Sequence, residues 1–138
     1  FKKINLKSKI KDGLIDLDNS KFEWKNFVNF ELFESLIFIR DGELVLDGKL
    51  KIYINNYNEV YKFLLTPKNY RKKIKEIDLN FTYNFDQNLA ILKDIKIDNE
   101  INQNVNKILN NVILKSDKFQ NKIYLKNLLN EAIRGYAG

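Results

Sequence analysis

The chain has 138 residues, enough for one domain with a packed core, and its 44% hydrophobic and 30% charged content fits a globular protein rather than a disordered or collagen-like one. Cysteine, histidine and methionine are all missing, which excludes disulfides, thiolate or imidazole metal sites, Ser–His and Cys nucleophiles and a histidine pH switch. No apolar run approaches the roughly 18 residues of a membrane span, and the net charge of +6 comes from 24 Lys and Arg against 18 Asp and Glu.

Only Arg40, Arg71 and Arg134 are arginine. A lysine-dominated excess supplies point charges without the bidentate fork that nucleic-acid sites favour, so no nucleic acid is expected as a partner. The crowding of Lys, Asn, Ile, Phe and Tyr is what AT-rich codons produce, and most of the excess charge reads as solvated surface. One dense cluster stands apart. Lys68, Arg71, Lys72, Lys73 and Lys75 form a candidate contact for an anionic head group or a protein partner. Phe1 in place of methionine gives the expectation that the chain is a segment of a longer protein.

From Ile4 to Ile10 apolar residues alternate with lysines, the period-2 pattern of a strand with one wet face. Asp12-Gly13 marks a turn, Leu14 to Leu17 a second extended stretch, and Phe22 and Trp24 share one face of a third. Phe30 to Ile39 mixes both faces and reads as a buried strand or one with a bulge. Asp41-Gly42 and Asp47-Gly48 both carry the Asp-Gly signature of tight hairpin turns, which predicts a meander of Leu36–Ile39, Leu44–Leu46 and Leu50–Ile54. Val60, Phe63 and Leu64 then fall at helical spacing, with Asn56 or Asn58 as cap and Thr66-Pro67 as the stop, a short helix near 58–66.

Lys75 to Phe85 is the clearest strand, with Ile77, Leu79, Phe81, Tyr83 and Phe85 on one face. After a turn at 86–88 it returns through Leu89, Ile91, Ile95 and Ile97, Lys93 being the interruption. Beyond Asp98-Asn99 the period becomes helical. Val105, Ile108, Leu109 and Val112 mark one amphipathic helix and the segment from Asn121 to Tyr136 another, with Ser116-Asp117 as a break or cap between them. The fold class is therefore α+β: a curved antiparallel β meander forming a groove-like sheet over residues 1–99, with the inserted helix, and two C-terminal amphipathic helices over 100–138 of the same domain.

Catalytic chemistry has little to work with. Asp16 and Asp18 alternate onto one strand face, the arrangement of a carboxylate pair or a Ca²⁺ site, while Asp41 and Asp47 are explained as turn formers. There is no phosphate-binding glycine loop and no nucleophile elbow. No enzyme activity, metal or cofactor is expected. What the strands offer instead is apolar surface: Leu50, Ile52, Ile54, Ile77, Leu79 and Phe81, continuing through Tyr83, Phe85, Leu89, Ile91, Ile95 and Ile97. Such a face is either a closed core or an open groove that holds acyl chains, gaining about 0.8 kcal/mol per buried methylene.

The segments Arg40-Asp41-Gly42-Glu43-Leu44, Asn58-Glu59-Val60-Tyr61, Thr66-Pro67-Lys68-Asn69-Tyr70-Arg71-Lys72, Tyr83-Asn84-Phe85-Asp86, Ile95-Lys96-Ile97-Asp98 and Asn102-Gln103-Asn104-Val105-Asn106 resemble the C-terminal region of AsmA-like proteins of alphaproteobacteria, over residues 30 to 132. The resemblance implies a periplasmic β-groove segment of a large envelope protein, tethered to the inner membrane through a segment absent from this chain. It further implies a part in phospholipid transport and outer-membrane biogenesis. Expected partners are phospholipid acyl chains, adjoining repeats of the full-length protein and envelope proteins. The alternative is a non-catalytic structural or protein-interaction domain with a closed core.

Overall fold

A computed structural model describes residues 3–11, 13–110 and 112–138. The fold is α+β, built on a large, curved, open antiparallel sheet of nine strands with one short helix inserted mid-chain and further helices at the C-terminal end. The strands are β1 (Lys3–Asn5), β2 (Lys9–Lys11), β3 (Leu14–Asp16), β4 (Lys21–Trp24), β5 (Val28–Arg40), β6 (Glu43–Ile54), β7 (Glu76–Asn84), β8 (Leu89–Ile97) and β9 (Ile113–Lys115). Helix α1 (Tyr57–Leu64) connects β6 to β7, α2 (Gln103–Leu109) follows β8, and the four-residue α3 (Ser116–Phe119) leads into α4 (Lys122–Ala137).

The sheet runs β1-β4-β5-β6-β7-β8-β9, and the 13-residue β5 is its spine. One edge of β5 pairs with β4 along its first half and with β3 along its second, and β2 hairpins onto β3. Between these two partners lies the expected bulge, where the β5–β6 register shifts between Phe33 and Leu36. The Asp41-Gly42 turn is confirmed. Both residues have positive φ, 51° and 79°, as a tight two-residue hairpin demands. Gly13 is likewise left-handed, at φ 75°, while Asp12 beside it and Phe1 lie outside the described residues.

Asp47-Gly48 is not a turn. Strand β6 runs through it without a break, so two of the three expected strands of the meander are one. Glycine is needed there because the bulged Ser35 packs onto it: a Cβ on Gly48 would lie 2.2 Å from Ser35 Oγ and 2.8 Å from Ser35 Cβ. Ser35 is fully buried and donates its hydroxyl to Phe33 O. A glycine inside a strand marked a close approach, not a chain reversal.

A second bulge overturns part of the apolar-face reading. The β7–β8 register shifts between Asp78 and Asn80, and Asp94 takes a left-handed φ of 52°. Because strand faces alternate every residue, one extra residue moves every later side chain to the other face. Ile95 and Ile97 stay with Ile77, but before the bulge Leu92 pairs with Phe81 and Ala90 with Tyr83. Leu89 and Ile91, set opposite Asn84 and Thr82, therefore belong to the opposite, polar face.

The helices begin where asparagine caps them. Asn56, Asn102 and Asn121 each accept a hydrogen bond from the backbone N–H three residues on, at Glu59, Val105 and Tyr124. Helix α1 ends at Leu65, in the left-handed conformation at φ 59° just before Thr66-Pro67. Helix α2 stops at Leu109, so Val112, placed on this helix by its spacing, lies beyond it. The short strand β9, which no periodicity announced, pairs with β8 between α2 and α3, and Ser116-Asp117, expected as a break or cap, begins α3.

The helices sit on the face that carries Ile52 and Ile77. The core there gathers Tyr61, Ile74, Ile95, Ile97, Val105, Leu109 and Ala132, from α1, the loop before β7, β8, α2 and α4. The opposite face is laced with ions: Lys51 bridges Glu76 at 2.9 Å and Asp78 at 3.6 Å, and Lys49 meets Glu34 at 2.8 Å. The hydrogen bond to Glu76 holds the Lys51 ammonium above its ordinary pKa.

Candidate functional site: an apolar cavity between sheet and helices

Where α1 and α4 span the sheet they leave a cavity of about 600 Å³, within the range of roughly 300–1,000 Å³ for small-molecule sites. Its floor is Val28 and Phe30 of β5, Ile52 and Ile54 of β6, Ile77 and Leu79 of β7, and Leu92, Ile95 and Ile97 of β8. Register explains the continuity of this floor. Trp24 pairs with Val28 and Val28 with Ile54, while Phe30 pairs with Ile52, Ile52 with Ile77 and Ile77 with Ile97, two neighbouring rows of apolar side chains crossing the sheet. The roof comes from Val60, Tyr61, Phe63 and Leu64 of α1, Val105 and Leu109 of α2, and Leu125, Leu129, Ala132, Ile133 and Tyr136 of α4. Among the described residues no charged side chain lines it.

The roof is fastened by a small polar clasp. Asn130 of α4 donates from Nδ2 to Leu64 O at 2.7 Å, closing the C-terminal end of α1, and its Oδ1 accepts from Thr66 Oγ1 at 2.6 Å. Thr66 is 1% exposed, so this pair is out of water. Arg71 adds a third strand to the clasp, donating from Nε to Thr66 O at 2.9 Å. At the other end of the roof, Tyr61 donates its hydroxyl to Lys72 O, and burial pushes its pKa up to about 12. The α2–α4 crossing is close: a Cβ on Gly135 would come within 3.2 Å of Asn104 Cβ, and Asn104 Nδ2 donates to Gly135 O.

Of the twelve apolar positions singled out by alternation, Ile52, Ile54, Ile77, Leu79, Ile95 and Ile97 line the cavity. Leu50, opposite Leu32 and Leu79, lies on the same face. Phe81, Tyr83 and Phe85 continue that face beyond the helices, and Leu89 and Ile91 are turned away from it. Alternation missed Val28, Phe30 and Leu92 on the floor. Trp24 was placed on the right strand with no site role attached, and the helical wall was legible only as amphipathic stripes.

The basic cluster lies in the loop from a 3-10 turn at Lys68–Tyr70 to the start of β7. Two of its members serve the fold. Arg71 is in the clasp, and Lys72 lies over the Tyr136 ring at 4.3 Å while its carbonyl receives Tyr61. Lys68, Lys73 and Lys75 are exposed. The Asp16/Asp18 pair is also taken by backbone. Asp16 Oδ1 accepts from Asp18 N at 2.8 Å, and Asp18 Oδ1 accepts from Ser35 N at 2.7 Å, bracing the β5 bulge. Among the described residues no group of three His, Cys, Asp or Glu is placed to hold a metal, and no helix is long and apolar enough to cross a membrane.

These features define an α+β protein with an apolar cavity between a curved sheet and a helical roof. No protein-family model, curated protein or solved structure matches this chain.

Proposed function

We propose that this chain is a non-enzymatic lipid-binding module whose roofed groove takes an acyl chain. In this reading it is one segment of a periplasmic, inner-membrane-tethered envelope protein of the AsmA-like kind, acting in phospholipid transport and outer-membrane biogenesis. Adjoining repeats of that protein would continue the groove, and Lys68, Lys73 and Lys75 would meet head groups or envelope partners. The resemblance supports the setting, and the cavity supports the chemistry.

The cavity is the observation that carries the reading. It presents an almost wholly apolar wall on sheet and helices alike, of a volume that suits a small-molecule ligand. An acyl chain laid against that wall gains about 0.8 kcal/mol per methylene taken from water. The second reading, a structural or interaction domain with a closed core, draws on the buried cluster around Val105 and Ile95. That cluster fixes the helices on the sheet at one side of the cavity, and the void is what a closed core leaves unexplained.

Photo-crosslinking residues introduced at Ile52 and Phe81 test the proposal in cells. Capture of phospholipid at Ile52, under the roof, and at Phe81, on the open continuation, is the expected result. Capture of protein only, or of nothing, at both positions overturns it.

A further inference from the structure

The mouth of the cavity carries two ammonium groups that the fold does not use. Among the residues lining the cavity, Phe63 and Leu129 are the most exposed of those with large apolar side chains, 45% and 40%, and so mark where it opens, between α1, α4 and the end of β4. The Trp24 ring meets Phe63 edge-on at 4.8 Å and completes this rim. Lys25 Nζ lies 5.6 Å from the Trp24 ring and 5.8 Å from the Phe63 ring, and Lys126 Nζ lies 4.5 Å from the same Phe63 ring. One aromatic pair thus holds both cations beside one opening, an arrangement that orders them without neutralising them.

Among the described residues neither ammonium is held in an ion pair, whereas Lys49, Lys51 and Lys62 each have a carboxylate within 4 Å. Lys25 is moreover fixed by the backbone. It opens the β4–β5 turn, where Lys25 and Asn26 have left-handed φ of 51° and 67° and Asn26 O accepts from Asn55 Nδ2. Inside the rim, among the described residues, no charged side chain lines the wall, so a charged head has to stop at the mouth.

The volume admits a tail. At about 600 Å³ the cavity has the size of a site for one small molecule, room for an acyl chain. We infer that the occupant is an amphiphile with an anionic head, one acyl chain of it under the helices and its head between Lys25 and Lys126, an inference that rests on the cavity being a lipid site. A long-chain fatty carboxylate is the simplest member of that class.

Trp24 is the one tryptophan in the chain and sits at the mouth, so its emission reports binding. The experiment titrates the intact chain with dodecanoate, dodecanol and dodecyltrimethylammonium, below their aggregation concentrations and at low salt. Two screened lysines are expected to favour the carboxylate over the alcohol by about tenfold, and the cation is expected to bind weakest. The preference should vanish in the Lys25→Gln/Lys126→Gln double variant and survive in Lys107→Gln, an exposed lysine of α2 that does not line the cavity.

Equal affinity for all three heads overturns the head-group inference and leaves the cavity reading intact. Binding of none of them overturns both. A carboxylate preference that persists in the double variant, or is lost as much in Lys107→Gln, overturns the assignment to the mouth.

Discussion

Under the helices Ile95 and Ile97 are 2% and 7% exposed, while further along the same face, past the roof, Ile39, Leu44 and Phe85 are 65%, 37% and 38% exposed. The two ends of the sheet have the same alternation and the same kinds of side chain. What separates them is cover supplied by helices from further along the chain, α2 and α4. Hydrophobic stabilisation follows area taken from water, so the roofed end carries the fold's stability. The open end is left as apolar surface continuous with the cavity floor.

Truncating the two ends should show this asymmetry most strongly. Ile95→Ala is expected to cost about 2–5 kcal/mol, and Ile39→Ala to stay within about 0.5 kcal/mol, both measured by urea unfolding. Equal losses would mean that the open end is packed as firmly as the roofed one.

Alkali tests the roofed end through one phenol. The buried Tyr61 phenol, raised from 10 to about 12, stays neutral in the folded chain and ionises more readily once unfolded. Its contribution is complete below pH 10 and is lost as pH rises from 10 to 12, about 2–3 kcal/mol in all. Tyr61→Phe should remove that part of the pH dependence. A stability profile from pH 9 to 12 that does not change on substitution would contradict the burial of this hydroxyl.

The join between the two ends is the Ser35 bulge over Gly48. Gly48→Ala should destabilise by about 1–3 kcal/mol through overpacking, and Ser35→Gly in the same chain should recover most of it. An unrescued double variant would place the strain elsewhere. Smaller still is the clasp: Asn130→Ala leaves Leu64 O and Thr66 Oγ1 without their partner, for about 1–2 kcal/mol. Amide exchange should then quicken across α1 and leave β5–β6 as it was.

Much of the fold was legible because its signals are local. The period-2 run from Ile77 to Phe85, the asparagine caps and the left-handed Asp41-Gly42 turn are each decided within a few residues. The β5 bulge showed in the mixed faces of Phe30 to Ile39.

What was not legible is set by partners distant in sequence. Gly48 has the local look of a turn and is a contact with Ser35. The β8 bulge left one trace, Lys93 on an apolar face, which marks a shift of register, and following it would have moved Leu89 and Ile91 to the polar side and brought in Leu92. The cavity joins Trp24 and Phe30 to Phe63 and Leu129, and no spacing along the chain brings those together. The lysines at its mouth are, in sequence, two among many.

Whether the space under the roof is a cavity or a core can be decided by enlarging its floor. Ile52→Phe adds a ring where the cavity gives it room, so the urea midpoint should hold or rise while a fluorescent acyl probe bound by the parent chain is displaced or bound at least about tenfold more weakly. Loss of about 1–3 kcal/mol on the same substitution, in a chain whose parent binds no acyl probe, would show a packed core and no lipid site.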